Sequence, residues 1–218
     1  MSVKNLPTQE RAIKKRIELL KAAQLDFSEV GFEVATAKSI AVRAKVATGT
    51  FYQYFENKND ILRVLAENRY SELHEQVLLL QSDERIRGLR SFSESKGSDT
   101  DKINTFELFY RVLEFLYQYH LQEKKLHQVL DQRRSVDSAL NEIMVRGEQV
   151  MRDVVMSFLN DFELDDHTAV AESLHAMGEG LVHVMVFGKP NSDSQELLRT
   201  GAKMLASYFD LHTTPKIQ

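Results

Sequence analysis

Residues 41–55 read AVRAKVATGTFYQYF, and this stretch decides the fold. Two short apolar patterns meet at a tight joint, which predicts one short helix from about Lys38 to Ala44 and a second over roughly Thr48 to Phe55. Two short helices joined by a turn of about three to four residues, the second rich in polar and aromatic side chains, are typical of a helix-turn-helix. Its small core would come from Ile40, Ala41, Ala44, Val46 and Phe51.

Packing of an apolar core does not account for several residues of the second short helix. Gly49 has no side chain, so backbone can approach a base edge, and Gln53 can make paired hydrogen bonds to adenine. The hydroxyls of Tyr52 and Tyr54 can donate to phosphate oxygens, which sets register rather than reads sequence. Thr48 can cap the helix or turn its hydroxyl toward phosphate. A helix of this size fits the DNA major groove. The alternative is that the tyrosines are core aromatics with their hydroxyls at the surface.

The remainder of the chain is predicted to be helical. Of 218 residues, 43% are hydrophobic and 28% are charged, and only nine are glycine and three proline, which favours long helices. A first helix begins at its cap, Thr8, and runs to Val30, where Gly31 ends it. A fourth begins after Asn57, and Ser91–Asp101 is the clearest loop. Later helices are expected at about 102–121, 123–133, 136–160, 166–187 and 193–210.

The fold class is therefore all-α, with about nine helices. Residues 1–60 are expected to form an N-terminal three-helix helix-turn-helix domain, residues 61–212 a larger helical ligand-binding and dimerisation domain, and residues 213–218 a flexible tail. The first 60 residues hold ten lysines and arginines against seven aspartates and glutamates, a net +3, while the whole chain carries −4. A basic head on an acidic body indicates that only the head meets a polyanion, unless this modest excess arises by chance.

Composition and hydropathy exclude several classes of protein. The absence of cysteine removes disulfide frameworks and thiolate chemistry. The N-terminus is polar and basic, unlike a signal peptide. The longest nearly apolar run, Gly180–Gly188, is far shorter than the ~20 residues that span a bilayer. We therefore expect a cytoplasmic protein with no membrane partner.

From about Arg11 to Leu62, a set of residues stands in a fixed spacing. The set is Ile17, Ala22-Ala23, Phe27, Gly31-Phe32-Glu33, Thr36, Ile40-Ala41, Ala44, Val46, Thr48-Gly49-Thr50, Tyr52, Tyr54-Phe55, Lys58 and Leu62. This pattern resembles the DNA-binding domain of TetR-family transcriptional regulators. The resemblance implies a helical homodimer that binds double-stranded DNA at a palindromic operator, as a repressor released by a small-molecule effector.

The same resemblance implies a role for individual residues. Those that would contact phosphates are Thr36, Thr48, Tyr52, Tyr54 and Lys58. Those that would face bases are Lys38, Gly49, Thr50 and Gln53.

The turn departs from the family pattern at Lys45, where relatives commonly have glycine. If the backbone there is left-handed, a non-glycine residue costs about 1–2 kcal/mol. Either the turn differs here, or Lys45 accepts the strain and its charge lies near the DNA backbone.

Beyond about residue 65, two predicted helices carry more apolar and aromatic residues than one core stripe needs. The aromatics of helix 102–121 point in several directions, and the apolar face of helix 136–160 is wide. Together they would enclose an apolar cavity for the effector; the alternative is a solid core. The candidate ligand-binding residues are Phe106, Phe109, Tyr110, Arg111, Tyr117, His120, Met144 and Met151.

The last two predicted helices each carry one apolar stripe, and small residues beside the first permit close helix contact. Pairing with their copies would give a four-helix interface on a two-fold axis. The alternative is burial inside one subunit. The candidate interface residues are Val170, Leu174, Met177, Leu181, Leu198, Leu205 and Tyr208.

His175, Glu179 and His183 follow at steps of four on one helix face, which suggests metal binding. Eight residues of helix span ~12 Å, so all three cannot bind one ion without other segments, and we predict no metal and no cofactor. The chain lacks a phosphate-binding glycine loop, His-Glu-x-x-His and Gly-x-Ser-x-Gly. A helical enzyme, or an adaptor whose helix-turn-helix binds protein, therefore ranks below a DNA-binding regulator.

Overall fold

The computed structural model describes residues 10–82, 104–212 and 214–215. In this part of the chain nine helices account for most residues, and the all-α fold class is confirmed. The helices are α1 (Glu10–Val30), α2 (Ala37–Arg43), α3 (Thr48–Tyr54), α4 (Lys58–Ser82), α5 (Thr105–Gln122), α6 (Lys124–Arg134), α7 (Ser138–Leu159), α8 (His167–Phe187) and α9 (Ser194–His212). A minimal antiparallel pair, β1 (Phe162–Glu163) and β2 (Thr214–Pro215), sets Phe162 opposite Pro215.

The predicted helix bounds agree with these to within a few residues. The expected cap Thr8, the loop Ser91–Asp101 and most of the tail lie outside the described residues. Gly31, predicted to end α1, has a φ of 84°, the left-handed conformation that glycine adopts without strain. Within the described ranges, no helix has the length and apolar content needed to cross a membrane.

The described residues divide into two compact units. The N-terminal unit comprises the described part of residues 1–71 together with Lys125–Gly147, and the C-terminal unit comprises the described part of 72–124 and 148–218. Our predicted boundary after residue 60 took the N-terminal domain as one continuous stretch. The structure adds α6 and the first part of α7 to it, because their apolar residues share its core: Leu126, Val129, Leu130, Leu140, Ile143 and Met144.

An ion pair connects α4 to the start of α7 within the N-terminal unit. Arg63 donates from Nε and from one terminal nitrogen to the Asp137 carboxylate, at 2.8–3.1 Å. The same carboxylate caps α7 by accepting from the Leu140 N–H at 3.0 Å. Burial alone would raise the pKa of Asp137, but the hydrogen bonds from Arg63 and Leu140 and the charges of Arg63 and Arg133 outweigh it, so this pKa lies below its ordinary value.

A buried carboxylate holds α2 against α1. Asp26 is only 3% exposed, and it accepts from Ser39 Oγ at 2.5 Å and from Arg43 Nε at 3.0 Å. Ser39 also forms a capping box with Thr36, whose side chain accepts from the Ser39 N–H. Thr36 is therefore the N-terminal cap of α2.

The turn between α2 and α3 is a Schellman motif. The N–H of Lys45 donates to the Val42 carbonyl and that of Val46 to the Ala41 carbonyl, both at 3.0 Å. This motif needs a left-handed residue just past the helix end, and Lys45 supplies it with a φ of 55°. Of the two sequence alternatives, the structure selects the strained lysine over a different turn.

In the C-terminal unit, α5 packs against α8 and α9. Aromatic rings from three elements meet in its core, with Phe209 lying 5.6 Å from Phe109 and 4.8 Å from Phe162 between ring centroids. A Cβ on Gly201 would lie 2.5 Å from Leu181 Cδ2, so α8 and α9 approach closely.

Replacing Lys45 by glycine should stabilise the protein. Relief of about 1–2 kcal/mol of left-handed strain exceeds the extra unfolded-state entropy of glycine, about 0.5–1 kcal/mol. We expect a gain near 1 kcal/mol, or about 2–4 °C in Tm, measured by calorimetry. Lys45→Ala is the matched control, because it removes the same charge and keeps the strain. Equal Tm values for the two variants would contradict a strained turn.

Candidate nucleic-acid interface and internal cavity

One buried ring sets the orientation of α3. Phe51 is 0% exposed and packs on Phe55, with 5.7 Å between ring centroids. Side chains on an α-helix are about 100° apart around the axis. Gly49 and Gln53 therefore lie opposite Phe51, with Tyr52 on one flank. All three of these residues are exposed, which leaves a short polar helix face open to solvent.

The other predicted DNA contacts surround this face to different degrees. Lys38 and Lys45 are exposed, on α2 and on the turn. Thr48 and Thr50 are half-buried near the start of α3. Tyr54 is half-buried and packs against the core, so the alternative of a core aromatic holds for this tyrosine, while Tyr52, at 50% exposure, remains outside.

A Cβ on Gly49 would meet no atom within 4 Å. Nothing in the described fold therefore requires glycine at this position. The use of Gly49 for close backbone approach stays a prediction.

Two predicted roles change in the structure. Thr48 is the first residue of α3, because the cap position is Ala47, which makes no side-chain capping bond. Lys58 was expected to anchor a phosphate. Its ammonium instead donates to the carbonyls of Phe32, Glu33 and Ala35, at 2.8, 3.1 and 3.3 Å, and lies 4.5 Å from the centre of the Phe32 ring. All three N–H donors of Lys58 are used to close the turn between α1 and α2.

A cavity of about 170 Å³ lies within the C-terminal unit. Helices α4, α5, α7, α8 and α9 line it. Most of its lining is aliphatic or aromatic: Leu73, Val77, Leu80, Leu108, Phe109, Val112, Leu113, Phe115, Leu116, Met151, Val154, Val155, Phe158, Leu174 and Leu205. Its polar members are His175 and Glu179, both from α8. The solid-core alternative therefore does not hold for this unit.

Phe109 and Met151 are the predicted ligand-binding residues that line this cavity. Met144 is buried in the core of the N-terminal unit instead. Tyr110 donates to Gln195 at 2.7 Å, and Tyr117 lies 3.4 Å from Ser194 Oγ.

The remaining three do not line the cavity. Arg111 pairs with Glu107 one turn earlier, at 2.8 Å. Phe106 packs against the core and the Tyr110 ring. His120 is 3% exposed and lies against Glu179. These residues were chosen because they are aromatic or polar, and the sequence could not show which side of α5 faces the cavity.

Glu179 lies between two histidines. Its Oε2 is 3.3 Å from His120 Nε2 and 3.7 Å from His183 Nε2. Burial would raise the pKa of this carboxyl, but contact with His120 and the charges of His120, His175 and His183 outweigh burial and lower the pKa below its usual value. The cavity wall therefore carries an ionised carboxylate near neutral pH.

The predicted interface stripe belongs mostly to the interior of the C-terminal unit. Val170, Leu198 and Leu205 are buried, Leu181 packs at Gly201, and Leu174 lines the cavity. For the three buried residues the alternative of burial inside one subunit holds, whereas Leu174 and Leu181 are half-buried.

Met177 and Tyr208 are the predicted interface residues that remain exposed, and three further apolar side chains are exposed with them. Val184 is 53% exposed on α8, and Met204 and Leu211 are 60% and 80% exposed on α9. The sequence signal for α9 was the spacing of Met204 and Leu211, which lie four residues before and three residues after the selected Tyr208.

Comparison with known proteins agrees with the helix-turn-helix geometry. The family model described as bacterial regulatory proteins, tetR family, matches residues 19–65. The HTH-type transcriptional regulator HbdR of Aromatoleum sp. (strain CIB) is 41% identical over 68 residues, 31% of this chain and 30% of HbdR. The uncharacterised HTH-type regulator YvdT of Bacillus subtilis (strain 168) is 37% identical over 60 residues, 28% of this chain and 31% of YvdT. The chain thus spans about a third of the length of these relatives.

Similarity of fold extends further than similarity of sequence. A crystal structure from Mesorhizobium loti MAFF303099, described as a TetR-family transcriptional regulator, aligns with a TM-score of 0.67. The alignment covers 92% of this chain and 96% of that one, at 16% identity. At this identity the likeness shows a shared fold.

Proposed function

We propose that this chain, which belongs to the TetR family of bacterial regulatory proteins, binds double-stranded DNA by placing α3 in the major groove. The observation that carries the proposal is the polar face of Gly49, Tyr52 and Gln53, which the burial of Phe51 turns toward solvent. This face has the size and the hydrogen-bonding groups for base edges. The exposed Lys38 and Lys45 beside it supply positive charge for phosphates.

Position on the helix suggests a division of roles. Gly49 and Gln53, opposite the buried ring, are assigned to base edges. Tyr52, on the flank, is assigned to a phosphate oxygen, together with the hydroxyls of Thr36 and Thr48. Such contacts belong in the cytoplasm, where bacterial DNA is found.

Tyr52→Phe and Gln53→Ala should therefore differ in their effects. Loss of the tyrosine hydroxyl should weaken binding to every sequence by about 1.5–3 kcal/mol, the value of a hydrogen bond to a charged group. Loss of the amide should relax preference at one base pair by about 1–3 kcal/mol. Selection of binding sites from randomised duplex DNA, followed by competition titrations, measures both. Uniform loss of affinity in both variants would contradict this division.

The salt dependence of binding separates DNA recognition from binding of a protein partner. Each phosphate contact should add about 0.9 to the slope of log affinity against log salt. Lys45→Ala should lower this slope by about 0.9, the value of one phosphate contact. If the affinity of the parent protein for DNA does not change with salt concentration, the protein-binding alternative is favoured.

We further propose a homodimer formed by α8 and α9. Their exposed apolar side chains are Met177, Val184, Met204, Tyr208 and Leu211. Gly180 lies on the same part of α8, and a Cβ there would meet nothing within 4 Å, so a partner helix could approach closely. Pairing with a second copy would relate the two α3 helices by a two-fold axis, which is the symmetry of a palindromic operator.

Met204→Lys should dissociate this dimer. A two-fold interface brings the substituted residue of each subunit to the same contact region, so two desolvated charges oppose association. We expect the dimer Kd to rise at least about tenfold, or about 1.4 kcal/mol, by sedimentation velocity. Leu121→Lys, which changes a 44% exposed residue on α5, should leave association unchanged. A parent protein that is monomeric at micromolar concentration would overturn the proposal.

We propose that the cavity is the effector site. We also propose that the protein is a repressor and that the bound effector releases it from DNA. The cavity volume resembles that of an engineered apolar cavity of about 150 Å³ that holds benzene. The lining therefore favours a small, largely apolar molecule, with one polar group near His175 or Glu179.

Leu116→Phe should fill this cavity and prevent ligand entry. Saturating benzene should raise the Tm of the parent protein through binding to the folded state, and this shift should disappear in the variant. Leu121→Phe, the same substitution at an exposed position of α5, should retain the shift. Retention of the benzene shift in Leu116→Phe would place the apolar site elsewhere.

A further inference from the structure

Three potential metal ligands converge in the C-terminal unit, from two different helices. His120 comes from α5, and Glu179 and His183 come from successive turns of α8. The sequence placed Glu179 and His183 on one helix face but offered no second segment. The fold supplies that segment in α5.

His120 is prepared as a ligand through Nε2. Its Nδ1 lies 2.8 Å from the Leu116 carbonyl oxygen, which can only accept, so Nδ1 carries a proton. A histidine that donates one ring N–H to a backbone carbonyl and presents the other nitrogen is the usual arrangement at metal sites. The ring is 3% exposed, so its orientation is held by packing.

The two distances from Glu179 to the histidines are close to those between the ligands of a tetrahedral ion. Metal–ligand bonds of about 2.1 Å in a tetrahedron place neighbouring ligand atoms about 3.4 Å apart. Glu179 Oε2 lies 3.3 Å from His120 Nε2 and 3.7 Å from His183 Nε2. One ring nitrogen of His120 and one of His183 lie within 4.8 Å of one another. Rotation of the His183 side chain, which is 41% exposed, would complete the convergence of the three ligands on one ion.

We propose that His120, Glu179 and His183 bind a divalent transition-metal ion of the Zn²⁺ class. Two imidazoles and one carboxylate suit Zn²⁺, Ni²⁺ or Cu²⁺ rather than Mg²⁺ or Ca²⁺. Three protein ligands leave a fourth position for water. Because Glu179 also lines the cavity, the ion would lie at the cavity wall. This site is independent of DNA binding, and its test does not use DNA.

The test is titration of the EDTA-stripped, dialysed full-length protein with Zn²⁺ by calorimetry and with Co²⁺ by visible absorption. We expect one ion per protomer and the d–d band of tetrahedral Co²⁺. Glu179→Gln and His183→Asn should each weaken Zn²⁺ binding at least about tenfold and remove the Co²⁺ band. The His183 side chain is 41% exposed, and circular dichroism would confirm that the variant folds.

His212→Asn is the control, because this histidine is exposed at the end of α9 and should contribute nothing. Zn²⁺ binding and a Co²⁺ band unaffected by Glu179→Gln and His183→Asn would overturn the proposal. Absence of stoichiometric binding in the parent protein would overturn it too, and would leave a proton-bridged pair of His120 and Glu179.

Discussion

The burial of Phe51 is the constraint on which the candidate DNA interface depends. A seven-residue helix is too short to be stable by its own hydrogen bonds. Its position comes from one ring with no exposed surface, packed on Phe55 in the core of the N-terminal unit. Once Phe51 points inward, helix geometry directs Gly49 and Gln53 outward. Core packing and the proposed base recognition thus use opposite sides of one short helix.

Polar contacts then fix the segments before α3. Asp26 accepts from Ser39 and Arg43, which ties α2 to α1. Lys58 closes the turn between these two helices by binding three carbonyls. The Schellman turn at Lys45 holds a left-handed residue that is not glycine. The strain is retained at an exposed lysine beside the recognition face, where a positive charge favours binding to a polyanion.

In the C-terminal unit, one residue belongs to two features. Glu179 lines the apolar cavity and also lies between His120 and His183. An ion bound at the proposed metal site would neutralise the Glu179 charge at the cavity wall, and a ligand bound in the cavity would change the surroundings of the same carboxylate. The helix that carries Glu179 also carries the exposed Met177 and Val184, so a shift of α8 would reach the proposed dimer contact.

The sequence by itself determined the helical class, the helix-turn-helix and the residues on the exposed face of α3. Those features depend on contacts between residues near in sequence: the apolar spacing around Phe51, the capping pair Thr36 and Ser39, and the turn at Lys45. Tertiary structure decided which side of each long helix is interior. Val170 and Leu205 are buried where we expected an interface, and Met144 joins the N-terminal core instead of the cavity. Long amphipathic helices have several apolar rows, and only packing between distant segments, as of His120 with Glu179, selects the row that faces inward.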